Sequence, residues 1–153
     1  MKIFVTGAGG FIGSSIVKEL IRTGHQVLGL VRSKESSEAL KALGAESLFG
    51  NLNDIESLCK GAEMSDGLIH TAFNHDDFTK FKESCENDRC IIEALGEVYK
   101  GSEQPIIVTS ALGLLPRGRV VSENESVASS PLPRIATEQA ADAVAANGVR
   151  ISV

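Results

Sequence analysis

Lys2-Ile3-Phe4-Val5-Thr6-Gly7-Ala8-Gly9-Gly10-Phe11-Ile12-Gly13 is the stretch that decides the fold. Its first residues are a β-branched and aromatic run, the composition of a buried strand, and Gly7 closes it. Beyond the glycines, Ile12, Ile16, Val17, Leu20 and Ile21 recur at helical spacing and predict an amphipathic helix that stops at Gly24. A glycine-rich turn placed between a strand and a helix aims backbone N–H groups and the helix N-terminus at a pyrophosphate. Gly7 permits the tight turn, Gly10 lets the backbone approach the phosphates, and Gly13 lets the helix pack closely on the sheet, with Phe11 and Ile12 opening the helix between them.

Outward from this turn the chain alternates strand and helix. Gln26–Val31 reads as a second strand, Ser33 opens a helix ended by Gly44, and Glu46–Phe49 reads as a third strand. Asn53, with Glu56 three residues on, resembles a capping box and predicts a short helix over Asp54–Cys59. Gly67–Thr71 is a fourth strand. Asn74 is the expected cap of a long helix with Asp76 and Asp77 in its first turn, running to about Lys100. Pro105–Ser110 is a fifth strand, Ala111–Pro133 a loop, and Arg134–Ala146 the last helix. Val149–Val153 has strand composition with no turn or helix after it, so the chain reads as cut short. The alternation predicts one α/β domain over residues 1–153, a doubly wound parallel sheet in the order 3-2-1-4-5-6, without a C-terminal substrate-binding portion.

Composition narrows the partners. A net charge of -5 with no Lys/Arg block argues against a nucleic-acid surface, which needs clustered positive charge. No apolar stretch approaches the roughly 20 residues that span a bilayer, and Gly7, Gly9, Gly10 and Gly13 interrupt the N-terminal apolar run before it could serve as a signal peptide. The expected location is therefore the cytoplasm. Cys59, Cys85 and Cys90 lack CxxC spacing and read as buried or idle thiols; together with His25, His70 and His75 they form no metal-ligand pattern. The expected partner is a small molecule held beside a cofactor, and a homodimer stays open.

The end of the second strand bears on which cofactor. NAD sites usually place an Asp or Glu about 20 residues beyond the glycine turn to bond the ribose 2′-hydroxyl. Here Val31 is followed by Arg32, Ser33 and Lys34. A guanidinium in place of a carboxylate complements a 2′-phosphate, so NADP is expected ahead of NAD, with Arg32 and Ser33 as its ligands. A solvated basic turn at a helix start is the simpler alternative.

The ordered set Met1–Gly13, Gly50-Asn51-Leu52-Asn53-Asp54, Ile69-His70-Thr71-Ala72 and Val108-Thr109-Ser110 resembles the extended short-chain dehydrogenase/reductase superfamily, which includes the NAD-dependent epimerases and dehydratases. The resemblance covers nearly the whole chain and implies an NAD(P)-binding Rossmann fold. It implies that Asn51 and Leu52 contact adenine, with Asn51 where relatives usually carry Asp. It further implies that Thr71, Ala72 and Phe73 line the path to the ribose and nicotinamide, and that Ser110 stands at the position of the catalytic serine. His70 reads as a wall residue rather than a base.

The resemblance also implies a Tyr-x-x-x-Lys pair on the following helix, but the matching segment is Arg134-Ile135-Ala136-Thr137-Glu138. Arg134 cannot accept a proton at neutral pH, though it could hold a substrate carboxylate or phosphate, and it is retained with Ser110 as a candidate catalytic residue. The lone tyrosine, Tyr99, falls on the preceding helix. The chain thus resembles the atypical branch of the superfamily. Two functions follow: an NADP(H)-dependent oxidoreductase or epimerase-like enzyme acting on a small carbonyl or hydroxyl compound, or a non-catalytic NADP(H)-binding sensor.

Overall fold

The computed structural model describes residues 1–153 apart from 123, 124, 126, 128 and 129. β1 (Lys2–Thr6) is covered on both faces, because successive strand side chains point to opposite sides. Ile3 and Val5 join Ala8 and Val17 on one side, beneath α1 (Phe11–Arg22), together with Val27 and Val31 of β2 (Gln26–Val31) and Leu40 of α2 (Lys34–Ala42). Phe4 points to the other side, where Leu58 of α3 (Ile55–Glu63), Ile91, Ile92 and Leu95 of α4 (Phe81–Val98) and Ala140, Ala141 and Val144 of α5 (Ile135–Ala146) close a second core layer.

The remaining strands are β3 (Glu46–Phe49), β4 (Gly67–His70), β5 (Ile106–Val108) and β6 (Ile151–Ser152), and all neighbours run parallel in the order β3-β2-β1-β4-β5-β6. This is the doubly wound Rossmann sheet expected from the sequence. Strand order reverses between β1 and β4, so the crevice where ligands bind in such sheets opens above Thr6 and His70, which are register partners.

Local expectations are corrected at several points. The cap of α3 is Asp54, whose Oδ1 accepts from the Ser57 N–H at 3.1 Å; the Asn53 N–H is instead taken by Asn51 Oδ1 at 2.8 Å, which makes Asn53 part of the preceding turn. The helix also runs on to Glu63, past the expected Cys59. Asn74 caps no long helix, because its Oδ1 closes a turn onto the Asp76 N–H at 3.0 Å. Asp77 then caps a 3-10 turn over Phe78–Lys80, and α4 starts only at Phe81.

The predicted strand Val149–Val153 shortens to Ile151–Ser152, since the Val149 N–H bonds back to the Val144 carbonyl and completes the end of α5. Within the predicted loop Ala111–Pro133, Leu112–Leu114 form a 3-10 turn; the part of that loop at 123, 124, 126, 128 and 129 lies outside the described residues.

Candidate functional site

The glycine turn sits where the sequence places it, at the C-terminal end of β1. Gly7 has φ +69, a backbone that L side chains rarely adopt, and a methyl there would lie 2.7 Å from Thr71 Oγ1 and 2.9 Å from the Ala72 nitrogen. A methyl on Gly13 would lie 2.0 Å from the Gly7 carbonyl oxygen. Both glycines are therefore demanded by close backbone approach. Gly10 is the N-cap of α1 and supplies no side-chain cap, and the first turn carries no acidic residue. The first-turn N–H groups of α1, which intrahelical bonding cannot satisfy, thus face the crevice with a positive helix end and no competing carboxylate. Phe11, 93% exposed, and the exposed Ile12 flank this opening. The cradle fits an anionic diphosphate.

At the end of β2, Arg32 is exposed and its Nη1 lies 3.6 Å from the Asp76 carboxylate, reaching from the far side of the crevice. Ser33 caps α2 through the Ser36 N–H at 3.2 Å, so its hydroxyl is already engaged as a cap, and a methyl on Gly9 would meet Ser36 Oγ at 3.5 Å. Arg32, Ser33 and Ser36 therefore border the glycine turn. Asn51 is exposed on the β3–α3 turn, and the Leu52 carbonyl accepts from Asn87 Nδ2 at 3.0 Å, which fixes that turn against α4.

Below the crevice lies a buried polar network that joins the other candidate residues. Thr6 Oγ1 is 2.7 Å from His70 Nδ1, and His70 Nε2 is 3.1 Å from Asp88 Oδ1. Asp88 Oδ2 accepts from Arg134 Nη1 and from Thr137 Oγ1, each at 2.5 Å. Arg134 Nη2 donates to the Thr109 carbonyl at 3.0 Å, and its guanidinium carbon lies 4.1 Å from the centroid of the Phe73 ring. The Thr71 hydroxyl donates to the Thr6 carbonyl at 2.7 Å and the Ala72 N–H donates to Thr6 Oγ1 at 3.3 Å.

His70 and Asp88 are only 1% and 2% exposed, and Arg134 8%. Burial alone would push the Asp88 carboxyl up, but the hydrogen bond from His70, the Arg134 guanidinium and the Thr137 hydroxyl together hold it below the usual carboxylate range. Arg134 stands at the N-cap of α5, where a cation opposes the helix dipole, and the Asp88 carboxylate offsets that charge. Its guanidinium points into this network. Ser110, next to the anchored Thr109, has a buried Oγ with no hydrogen-bond partner among the described residues, an unusual state for a buried hydroxyl outside a working site.

The sequence pattern marks no site role for Thr6, Asp88 or Thr137, although Asp88 carries a recognisable signal. It lies on the α4 face with Ser84, Cys85, Ile91, Ile92 and Leu95, all buried, and a carboxylate on such a stripe requires partners. Tyr99 caps the end of α4 far below the site, donating to the Ala62 carbonyl at 3.1 Å. Burial and the nearby Asp66 carboxylate push its phenol up to about 12. The raised value stabilises the fold fully below the unfolded value of about 10 and is lost as pH climbs through about 12. Since the chain has one tyrosine, phenolate absorbance reports it alone: titration should begin only near the alkaline unfolding transition, and a midpoint near 10 in the folded protein would contradict the burial.

Among the described residues no group of His, Cys, Asp and Glu is arranged to hold a metal ion, and no helix is long and apolar enough to cross a membrane.

Comparison with known proteins agrees with this geometry. An uncharacterized protein, C2A9.02, of Schizosaccharomyces pombe is 46% identical over 154 residues, covering 100% of this chain and 52% of the relative. The solved structure of MoeE5 in complex with UDP-glucose and NAD superimposes with a TM-score of 0.76 at 25% identity, covering 100% of this chain and 52% of that one. The Citrobacter sp. triphenylmethane reductase complexed with NADP(H) shares the fold, with a TM-score of 0.69 at 23% identity over 97% of this chain and 47% of that one. The chain thus spans about half the length of the relatives it matches. Residues 1–98 match the model of the NmrA-like family, and with the Rossmann sheet and glycine turn in place the chain belongs to that family, within the short-chain dehydrogenase/reductase superfamily.

Proposed function

We propose that this chain is the dinucleotide-binding part of an NADP(H)-dependent oxidoreductase or epimerase-like enzyme acting on a small carbonyl or hydroxyl compound. The observation that carries the proposal is the uncapped, acid-free N-terminus of α1, held by the close approach of Gly13 to Gly7 and of Gly7 to Thr71 and Ala72 at the strand-order reversal. Gly10, Phe11, Ile12 and Gly13 would receive the diphosphate through backbone N–H groups. Asn51 and Leu52 would border the adenine, and Thr71, Ala72 and Phe73 the nicotinamide ribose. The dinucleotide supplies a hydride donor or acceptor when bound. Ser110, whose buried hydroxyl lacks a partner, would bond the oxygen of the substrate. Arg134 would position Thr109 and Ser110 rather than move a proton.

The preference for NADP rests on Arg32. Its contact with Asp76 is exposed and long at 3.6 Å, so the guanidinium is available to a 2′-phosphate that brings two charges and several acceptor oxygens. Calorimetric titration should show tighter binding of NADPH than NADH, and Arg32→Ala should remove most of that difference while leaving NADH affinity nearly unchanged. Equal affinities in the unaltered protein would refute the assignment of Arg32.

One observation favours a second reading, a non-catalytic NADP(H) sensor: the Tyr-x-x-x-Lys pair is replaced by Arg134 and Glu138, and the Arg134 guanidinium is tied to Asp88, Thr137 and Thr109. Tight NADPH binding with no consumption across a panel of carbonyl compounds, in the longest form of the protein, would select the sensor.

A further inference from the structure

We propose that Asp88 is a positioning residue that couples the dinucleotide turn at Thr6–Gly7 to Thr109–Ser110, so that a change at either end is felt at the other. The inference rests on the dinucleotide-binding reading above. Asp88 is the branch point of the buried network: one carboxylate oxygen faces His70, and the other faces Arg134 and Thr137.

The direction of each hydrogen bond is set by its neighbours. An ionised carboxylate only accepts, so His70 presents Nε2–H to Asp88 and leaves Nδ1 to accept from the Thr6 hydroxyl. With its proton given to His70, Thr6 Oγ1 accepts from the Ala72 N–H. On the other branch Thr137 donates to Asp88 and accepts from Arg134 Nη1, while Arg134 Nη2 holds the Thr109 carbonyl. The Thr109 N–H and hydroxyl both bond the His70 carbonyl, at 3.1 and 3.2 Å, which ties the two branches together through the backbone.

Thr6, His70, Asp88 and Thr137 are so deeply buried that water cannot readily replace a lost partner. Removing one donor therefore disturbs the next member of the chain instead of being absorbed locally. Thr6 leads into Gly7 and holds Ala72, both in the cradle, and Thr109 leads into Ser110. Asp88 therefore stands between the cofactor side and the substrate side without needing to touch either ligand.

The test is a double-mutant cycle on NADPH affinity with Thr6→Val, Thr137→Val and the pair, with melting temperature measured in parallel. Thr137 lies on α5, outside the glycine turn. Thr137→Val should nevertheless weaken NADPH about fivefold to tenfold, the pair should be little weaker than either single variant, and Thr137→Ser should restore affinity at unchanged stability. Wild-type affinity in Thr137→Val, or losses that simply multiply in the pair, would overturn the coupling.

A second measurement needs no ligand and decides the matter if a valine variant fails to fold or if the unaltered protein binds neither NADPH nor NADH. In the latter case the dinucleotide reading itself fails. Nitrogen-15 spectra of His70 should show the proton on Nε2, and Thr137→Ser should leave both that signal and Ala72 amide exchange unchanged. Asp88→Asn should speed Ala72 exchange about tenfold with Val27 unaffected. The opposite tautomer, or an Ala72 amide indifferent to Asp88→Asn, would overturn the proposal.

Discussion

Gly13→Ala should be the most damaging methyl that can be added to the glycine turn, lowering stability by about 3 kcal/mol and the melting temperature by roughly 5–10 °C. The added carbon would sit 2.0 Å from the Gly7 carbonyl oxygen, 2.7 Å from the Gly7 carbonyl carbon and 3.0 Å from Ala8 Cα. All three are backbone atoms, so no rotamer change relieves the overlap. Either α1 withdraws from β1 or the turn at Gly7 opens. Withdrawal would loosen Val17 and Ala8, both fully buried, from Ile3 and Val5. Opening would break the Gly10 N–H to Gly7 carbonyl bond of 2.8 Å that shapes the cradle. Gly9→Ala is the matched control, because its nearest neighbour, Ser36 Oγ, is 3.5 Å away, an ordinary contact. Chemical denaturation of both variants decides the point. A Gly13→Ala protein as stable as Gly9→Ala would show that the turn has slack the present packing denies.

Strand order, the glycine turn and the two-sided core were legible in the sequence, because each follows from local pattern. Alternation of Ile3, Phe4 and Val5 assigns faces, the spacing of Ile16, Val17 and Leu20 assigns a helix, and right-handed crossovers assign the order. Helix starts were less legible. Asn53 and Asn74 both have the side chain of a cap, but the Asn53 N–H closes an Asx turn onto Asn51, Asn74 closes its own onto Asp76, and the nearby Asp54 and Asp77 do the capping. Such choices depend on where the preceding strand delivers the chain.

The buried network was hidden for a different reason. Thr6, His70, Asp88 and Arg134 lie on four separate elements, and their meeting is a property of tertiary packing that no spacing in one segment encodes. Arg134 read alone is a surface cation able to greet an anionic substrate. Read with the carboxylate of Asp88 on the buried face of α4, it becomes the counter-charge that such a carboxylate demands.

That pairing leads to the second large effect: Arg134→Met should destabilise the protein by about 3–5 kcal/mol at pH 7, more than the loss of an exposed arginine could cost. The substitution keeps apolar bulk against Phe73 but leaves Asp88 buried without its cation and frees the Thr109 carbonyl. The pH dependence identifies the cause. In the unaltered protein Asp88 is held below the ordinary carboxylate value of about 3.9, so its contribution is present above that pH and is lost as pH falls through the lower folded value. Without Arg134 the carboxyl loses one of the groups that hold it down against burial, so acidification costs the variant less than it costs the parent. The stability gap between them should therefore narrow from pH 7 toward pH 4. Asp88→Asn combined with Arg134→Met removes both charges and, with Arg134 no longer claiming it, frees the single amide oxygen to accept from His70 Nε2–H, so this pair should recover part of the loss. Urea denaturation of the unaltered protein, Arg134→Met, Asp88→Asn and the pair at both pH values measures every term. A loss below about 1 kcal/mol, the range of an exposed pair, or a gap that widens on acidification, would mean that Arg134 does not compensate a buried charge.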